Sequence, residues 1–167
     1  MGTAYVQLKP NAAEYLATVF PQRDKKNGTN IPVPVLWFDA AADEAAFWRF
    51  RVPGYTSGNL TLEILWEADT ASSGDVVWGA AIAAITPNTD TQDVETDALA
   101  TENTATDTHL GTTGQRLHSI SITISNLDSL ADGDEVALRI RRVGSSGSDT
   151  MTGDAGLISA QLSYTIA

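Results

Sequence analysis

The strongest constraint on this chain is alternation. Leu60, Leu62 and Ile64 alternate with Thr61, Glu63 and Leu65, and Ile120, Ile122 and Ile124 alternate with Ser119, Ser121 and Thr123. Val136, Leu138 and Ile140 alternate with Ala137, Arg139 and Arg141, and Ile158, Ala160, Leu162, Tyr164 and Ile166 with Ser159, Gln161, Ser163 and Thr165. A period of two sends one set of side chains to a core and the other to water, as a strand does. Gly, Asp and Ser clusters separate the runs. Half-apolar strands recurring between such turns predict an all-β chain, an antiparallel two-sheet β-sandwich.

Less regular runs extend the pattern. Val35 to Phe38 follows Pro32 and Pro34, which cannot donate to a ladder, so this strand should begin at an edge. Phe47 to Val52 is expected to bury Trp48, Phe50 and Val52 and to expose Arg49 and Arg51. If Pro53 to Asn59 closes a hairpin, Arg49 sits near Glu63 as a cross-strand ion pair. Val76 to Ile85 is rich in Ala, yet Val76, Val77 and Trp78 at its start and Gly79 inside favour a strand over a helix. Apolar on both faces, it invites close approach by another sheet or subunit. Residues 86 to 114 read as a long exposed loop with a strand near Thr104 to Leu110.

The first thirty residues look different. Asn11 to Phe20 fits a short helix, with Asn11 as N-cap and Glu14 in capping-box position. Gln22 to Asn30 is polar and holds Arg23, Lys25 and Lys26, the only cluster of positive charge. The expected organisation is an N-terminal arm over residues 1 to 30 and a sandwich over 31 to 167.

Composition removes several functions. With no cysteine there is no disulfide, thiolate metal site or cysteine nucleophile. A formal net charge of −11 disfavours nucleic acid and anionic membrane as partners. No basic start followed by a long apolar run marks a secretory signal. His109 and His118, the only histidines, fall on separate segments and read as structural. Glu63 and Glu67 form the sharpest candidate pair for sugar hydrolysis, but both are expected on an outward strand face without supporting context. Asp128, Asp132 and Asp134 lack calcium-loop spacing and fit an Asp-Gly turn. No phosphate loop, nucleophile elbow or dinucleotide fingerprint occurs. These absences predict a chain that is not an enzyme and that carries no cofactor and no metal.

Taken in order, Val35-Leu36-Trp37-Phe38-Asp39, Phe50 to Tyr55, Leu60 to Ala68, Ser73-Gly74-Asp75-Val76-Val77-Trp78-Gly79, Leu138 to Arg142 and Asp149 to Ala155 form a pattern of strands and turns. It resembles tailed-bacteriophage virion proteins, which serve as capsid decoration (cement) proteins and as modules of head or tail fibres. The resemblance implies a sandwich of jelly-roll type, without catalytic activity and often trimeric. It implies a role on the outer capsid surface of a virion assembled in the bacterial host cytoplasm, with the major capsid protein as partner. The shell would be stabilised by mass action. On this reading the arm docks to the shell through Tyr5, Leu8, Leu16, Phe20, Arg23, Lys25 and Lys26, whose apolar and basic character contrasts with an acidic body. The alternative is a receptor- or carbohydrate-binding module of a tail fibre or baseplate, using exposed aromatics such as Tyr55 and Trp78.

Overall fold

The computed structural model describes residues 1–167 as ten strands and one short 3-10 turn. In chain order the strands are β1 (Gly2–Leu8), β2 (Gln22–Asn27), β3 (Pro32–Phe38), β4 (Ala45–Arg51) and β5 (Leu60–Ala68), then β6 (Asp75–Ile85), β7 (Asn103–Thr108), β8 (His118–Ile124), β9 (Glu135–Arg142) and β10 (Ala155–Ile166). They form two antiparallel sheets. The larger runs β2-β3-β10-β5-β8, with β1 also paired to β10, and the smaller runs β4-β9-β6-β7. The apolar sets of the alternating runs meet between the sheets, where Leu62, Trp66, Trp78, Ile82, Ile122, Leu138 and Leu162 belong to one buried cluster. The chain is thus an all-β two-sheet sandwich of jelly-roll type.

The larger sheet is organised around β10. Its start, Ala155 to Leu157, pairs with β3, and its later part, Ala160 to Ile166, pairs with β1 on the same side. Pro32 and Pro34 fall where β3 has no β10 partner, so their missing donors cost no ladder bond. A register shift between Leu157 and Ser159 against β5 is a bulge. It moves Leu157 into the core and leaves Ile158 only half-buried, which breaks the single phase expected from Ile158 to Ile166.

The N-terminal thirty residues are not a separate arm. β1 pairs with β10 along its whole length, and β2 pairs with β3 from Gln22 to Asn27. Leu8 is a core residue, 1% exposed. The expected helix from Asn11 to Phe20 is also absent, replaced by a 3-10 turn at Pro10–Ala12 that has no side-chain cap. Pro21 disfavours helical backbone at Phe20, and the few residues left cannot repay helix nucleation. Glu14 instead bridges to Phe47 of β4.

The turn from Pro53 to Asn59 does not close a hairpin, because β4 and β5 lie in different sheets. Arg49 therefore pairs with Glu135 at 3.2 Å, and Glu63 accepts a hydrogen bond from Ser119 Oγ at 2.7 Å.

Val76 to Ile85 is a strand and is buried on both faces. Its outer face is met by the chain itself. Glu102 lies over Gly79, where a Cβ would stand 2.5 Å from the carboxylate carbon, and it bonds Arg139 at 2.9 Å and Arg141 at 2.7 Å. At Gly79 the small residue admits the chain's own Glu102, and the nearby Ala100 N–H donates to the Ile82 carbonyl at 2.8 Å.

Candidate functional site

One cleft gathers aromatic and polar side chains from three stretches of the chain, residues 15–23, residues 37–44 and Asp154. The loop between the 3-10 turn and β2 supplies Tyr15, Phe20 and Pro21, and β2 supplies Gln22 and Arg23. Trp37 comes from β3, Asp39 and Glu44 from the β3–β4 loop, and Asp154 from the residue just before β10. The volume is about 340 Å³, within the range of small-ligand sites.

The aromatic wall is built by local contacts. Tyr15 and Phe20 stack with centroids 5.5 Å apart. Arg23 holds Tyr15 by donating from Nε to its hydroxyl at 3.2 Å, while another guanidinium nitrogen donates to the Ala13 carbonyl at 2.5 Å. Val19 turns the loop with a φ of 58°, a strained value for a β-branched residue, and its carbonyl accepts from the Ala45 N–H at 3.2 Å. The Trp37 ring approaches Gly156 closely, and a Cβ there would stand 2.5 Å from the ring, which favours glycine. Lys26 sits 5.4 Å from the Trp37 ring centre and pairs with Glu67 at 2.7 Å.

The floor is acidic. Asp39 accepts from the Ala41 N–H at 2.6 Å, and Glu44 accepts from the Asp39 N–H at 2.8 Å. Burial holds Glu44 and Asp154 above the usual carboxylate range; neighbouring carboxylates add to it, and at Glu44 the Asp39 N–H opposes it. No three acidic or histidine side chains gather in a metal-holding cluster anywhere in the chain.

The residues singled out from the sequence distribute unevenly. Phe20 and Arg23 line the cleft, and Lys26 flanks Trp37. Tyr5, Leu16 and Lys25 are exposed outside its lining, and Leu8 is in the core. Tyr55 and Trp78, the aromatics offered for sugar stacking, are 8% and 0% exposed and belong to the core. Glu63 and Glu67 alternate with the core residues Leu62, Ile64 and Trp66, as expected of an outward face, but only Glu63 is exposed and Glu67 is covered there by Lys26. Asp128, Asp132 and Asp134 bond backbone N–H groups of Ala84, Gly54 and Ala131, as turn-anchoring carboxylates do.

The histidines are not on unrelated segments. His109 and His118 are 5% and 3% exposed, with ring centres 4.5 Å apart, and His118 stacks on Trp66 at 4.4 Å. Trp66 Nε1 in turn donates to Asp107 at 2.8 Å. Their nine-residue spacing gives no sign of this, because it spans a turn that links the two sheets.

Comparison with solved structures supports the sandwich. The chain is similar to carbohydrate-binding module CBM36, solved with calcium and xylotriose (11% identity, 94% of this chain and 98% of that one, TM-score 0.50). It is also similar to CBM28, a module specific for non-crystalline cellulose (8%, 88% and 85%, 0.51). A third neighbour is the K1 cleaved adhesin domain of Lys-gingipain from Porphyromonas gingivalis W83 (10%, 95% and 97%, 0.51). No family model matches the chain, and no curated protein does. At these identities the likenesses establish the fold alone, a β-sandwich of the kind found in carbohydrate-binding modules and adhesin domains. None of these three neighbours supports the virion origin or capsid-decoration role that the sequence resemblance implied.

Proposed function

We propose that this chain is a carbohydrate-binding module whose ligand occupies the cleft between Tyr15, Phe20 and Trp37. The observation that carries the reading is the convergence of these rings with Gln22, Arg23, Asp39, Glu44 and Asp154 on one site of ligand size. A sugar ring offers an apolar C–H face for an aromatic wall and hydroxyls that both donate and accept. Carboxylates, an amide and a guanidinium supply the matching partners. The acidic floor and the net charge of −11 disfavour uronates and favour neutral oligosaccharides. The reading is of binding without turnover. Calorimetric titration with a panel of neutral oligosaccharides tests it, together with chromatography of the recovered sugar. The expected result is saturable binding, lost on Trp37→Ala, with the sugar intact. Failure of the whole panel to bind, or unchanged binding by a folded Trp37→Ala protein, would refute it.

A further inference from the structure

The turn joining β7 to β8 is held by two buried imidazoles that can do so only while neutral. The Gly111 N–H donates to His109 Nδ1 at 3.0 Å, and the Leu110 N–H donates to His118 Nε2 at 3.0 Å. These donors fix the tautomers. His109 carries its proton on Nε2, which faces the Gly114 carbonyl at 3.2 Å. His118 carries its proton on Nδ1, which is buried without a partner. A further proton would go to His109 Nδ1 or His118 Nε2, and each would then point N–H against N–H. One hydrogen bond would be lost and two donors set in repulsion.

The turn is also strained. Gly111 and Thr112 hold φ values of 76° and 79°, the second unfavourable for a β-branched residue. From these observations we propose that His109 and His118 form an acid-released latch. Taking up protons at this pair frees the turn from Leu110 to Leu117 while the two sheets stay folded.

The surroundings define the latch's electrostatics. From β7, Asp107 favours the charged form of His118. From the turn, Arg116 donates to the Leu110 carbonyl at 3.0 Å and to Thr112 Oγ1 at 3.1 Å, a fastening that does not depend on the histidines. β5 contributes Trp66, with Trp78 of β6 behind it, and neither ring titrates. Burial, and next His109, hold the His118 imidazole below its usual range. Two imidazolium rings cannot share the closed site without repulsion, whereas the open turn hydrates both. Opening is therefore coupled to proton uptake at the pair. Opening would release Leu110 and Leu117, already exposed at the turn, from their fixed positions.

Amide hydrogen exchange and histidine ring resonances, followed by NMR on the full chain, test the latch. Between about pH 7.5 and about pH 5 the protection of the Leu110 and Gly111 amides should fall about tenfold or more, while Ile82 and Leu138 stay protected. A double variant, His109→Asn with His118→Gln, keeps an oxygen acceptor near each nitrogen and cannot titrate in this range. Its turn should stay protected at the lower pH. Retained protection in the wild-type turn would overturn the proposal, as would equal loss in wild type and double variant. Should the double variant not fold, the wild-type ring resonances decide. Ring titration without turn opening, or opening without titration, overturns it equally.

Discussion

Arg142 and Asp149 form a two-pronged ion pair in the core, with Nε to Oδ2 at 3.0 Å and a terminal nitrogen to Oδ1 at 2.6 Å, and neither side chain is more than 1% exposed. The remaining guanidinium donors reach the Met151 carbonyl at 2.6 Å and the Gly153 carbonyl at 2.7 Å. The Val77 N–H donates to Asp149 at 3.0 Å. The pair thus ties the segment before β10 to β6 and β9. Truncating one partner strands a buried charge, so Asp149→Ala should cost about 3–5 kcal/mol in urea denaturation. A cost under about 1 kcal/mol would contradict this arrangement.

Two tryptophans should separate binding from stability. Trp37 lines the cleft, and Trp78 fills the core against Phe38 and Trp66. Trp78→Ala should lower stability by about 3–5 kcal/mol. Trp37→Ala should leave denaturation nearly unchanged and abolish oligosaccharide binding. The reverse pattern in calorimetry and denaturation would reject the assignment.

Gly156→Ala should impair the cleft although Gly156 is not itself one of the residues that line it. The added methyl would meet both the Trp37 ring and a Val35 methyl, within 2.7 Å. Trp37 must tilt away, so oligosaccharide affinity should drop at least tenfold, about 1.4 kcal/mol. Equal affinities for the variant and the wild type would show that the ring's placement does not matter.

Stability should depend on pH in two opposed ways. His118 has its folded pKa below the ordinary value of 6.5, so the unfolded chain binds more protons in acid. Its contribution is present above pH 6.5 and is lost as pH falls through the lower folded value. Asp154 is shifted upward from 3.8, chiefly by burial and then by Asp69 and Asp39, so its contribution is present below 3.8 and is lost as pH rises. Asp154→Asn should therefore raise stability at neutral pH, by less than about 1 kcal/mol because the site is partly open to water. Denaturation of the variant at pH 7 reads the sign, and a loss would contradict it.

Strands with one wet face were legible because alternation reports that face directly, as in β5 and β8. β2 gave no such signal. Its sequence Gln-Arg-Asp-Lys-Lys-Asn lies on a sheet edge with little burial on either side. Local alternation also carries no information on which sheet a strand joins, so it leaves open whether Pro53 to Asn59 closes a hairpin or crosses between sheets. The bulge near Ile158 is set by pairing with β5 and leaves no local mark. The cleft was hidden for the same reason: its residues span positions 15 to 154 and are brought together by strand pairing alone.

The position of β10 has a consequence for the order of events in folding. The last strand along the chain is the one on which β1, β3 and β5 all pair. Until residues 155 to 166 leave the ribosome, none of these three strands has that partner, and β1 must wait across more than 150 residues. Loop closure over such separations is slow, so this sandwich should assemble late, after synthesis of β10. Removing residues 160 to 167 would leave β1 unpaired and Leu8 without its strand partner Ala160, and the nascent chain resembles that truncated state until β10 has emerged.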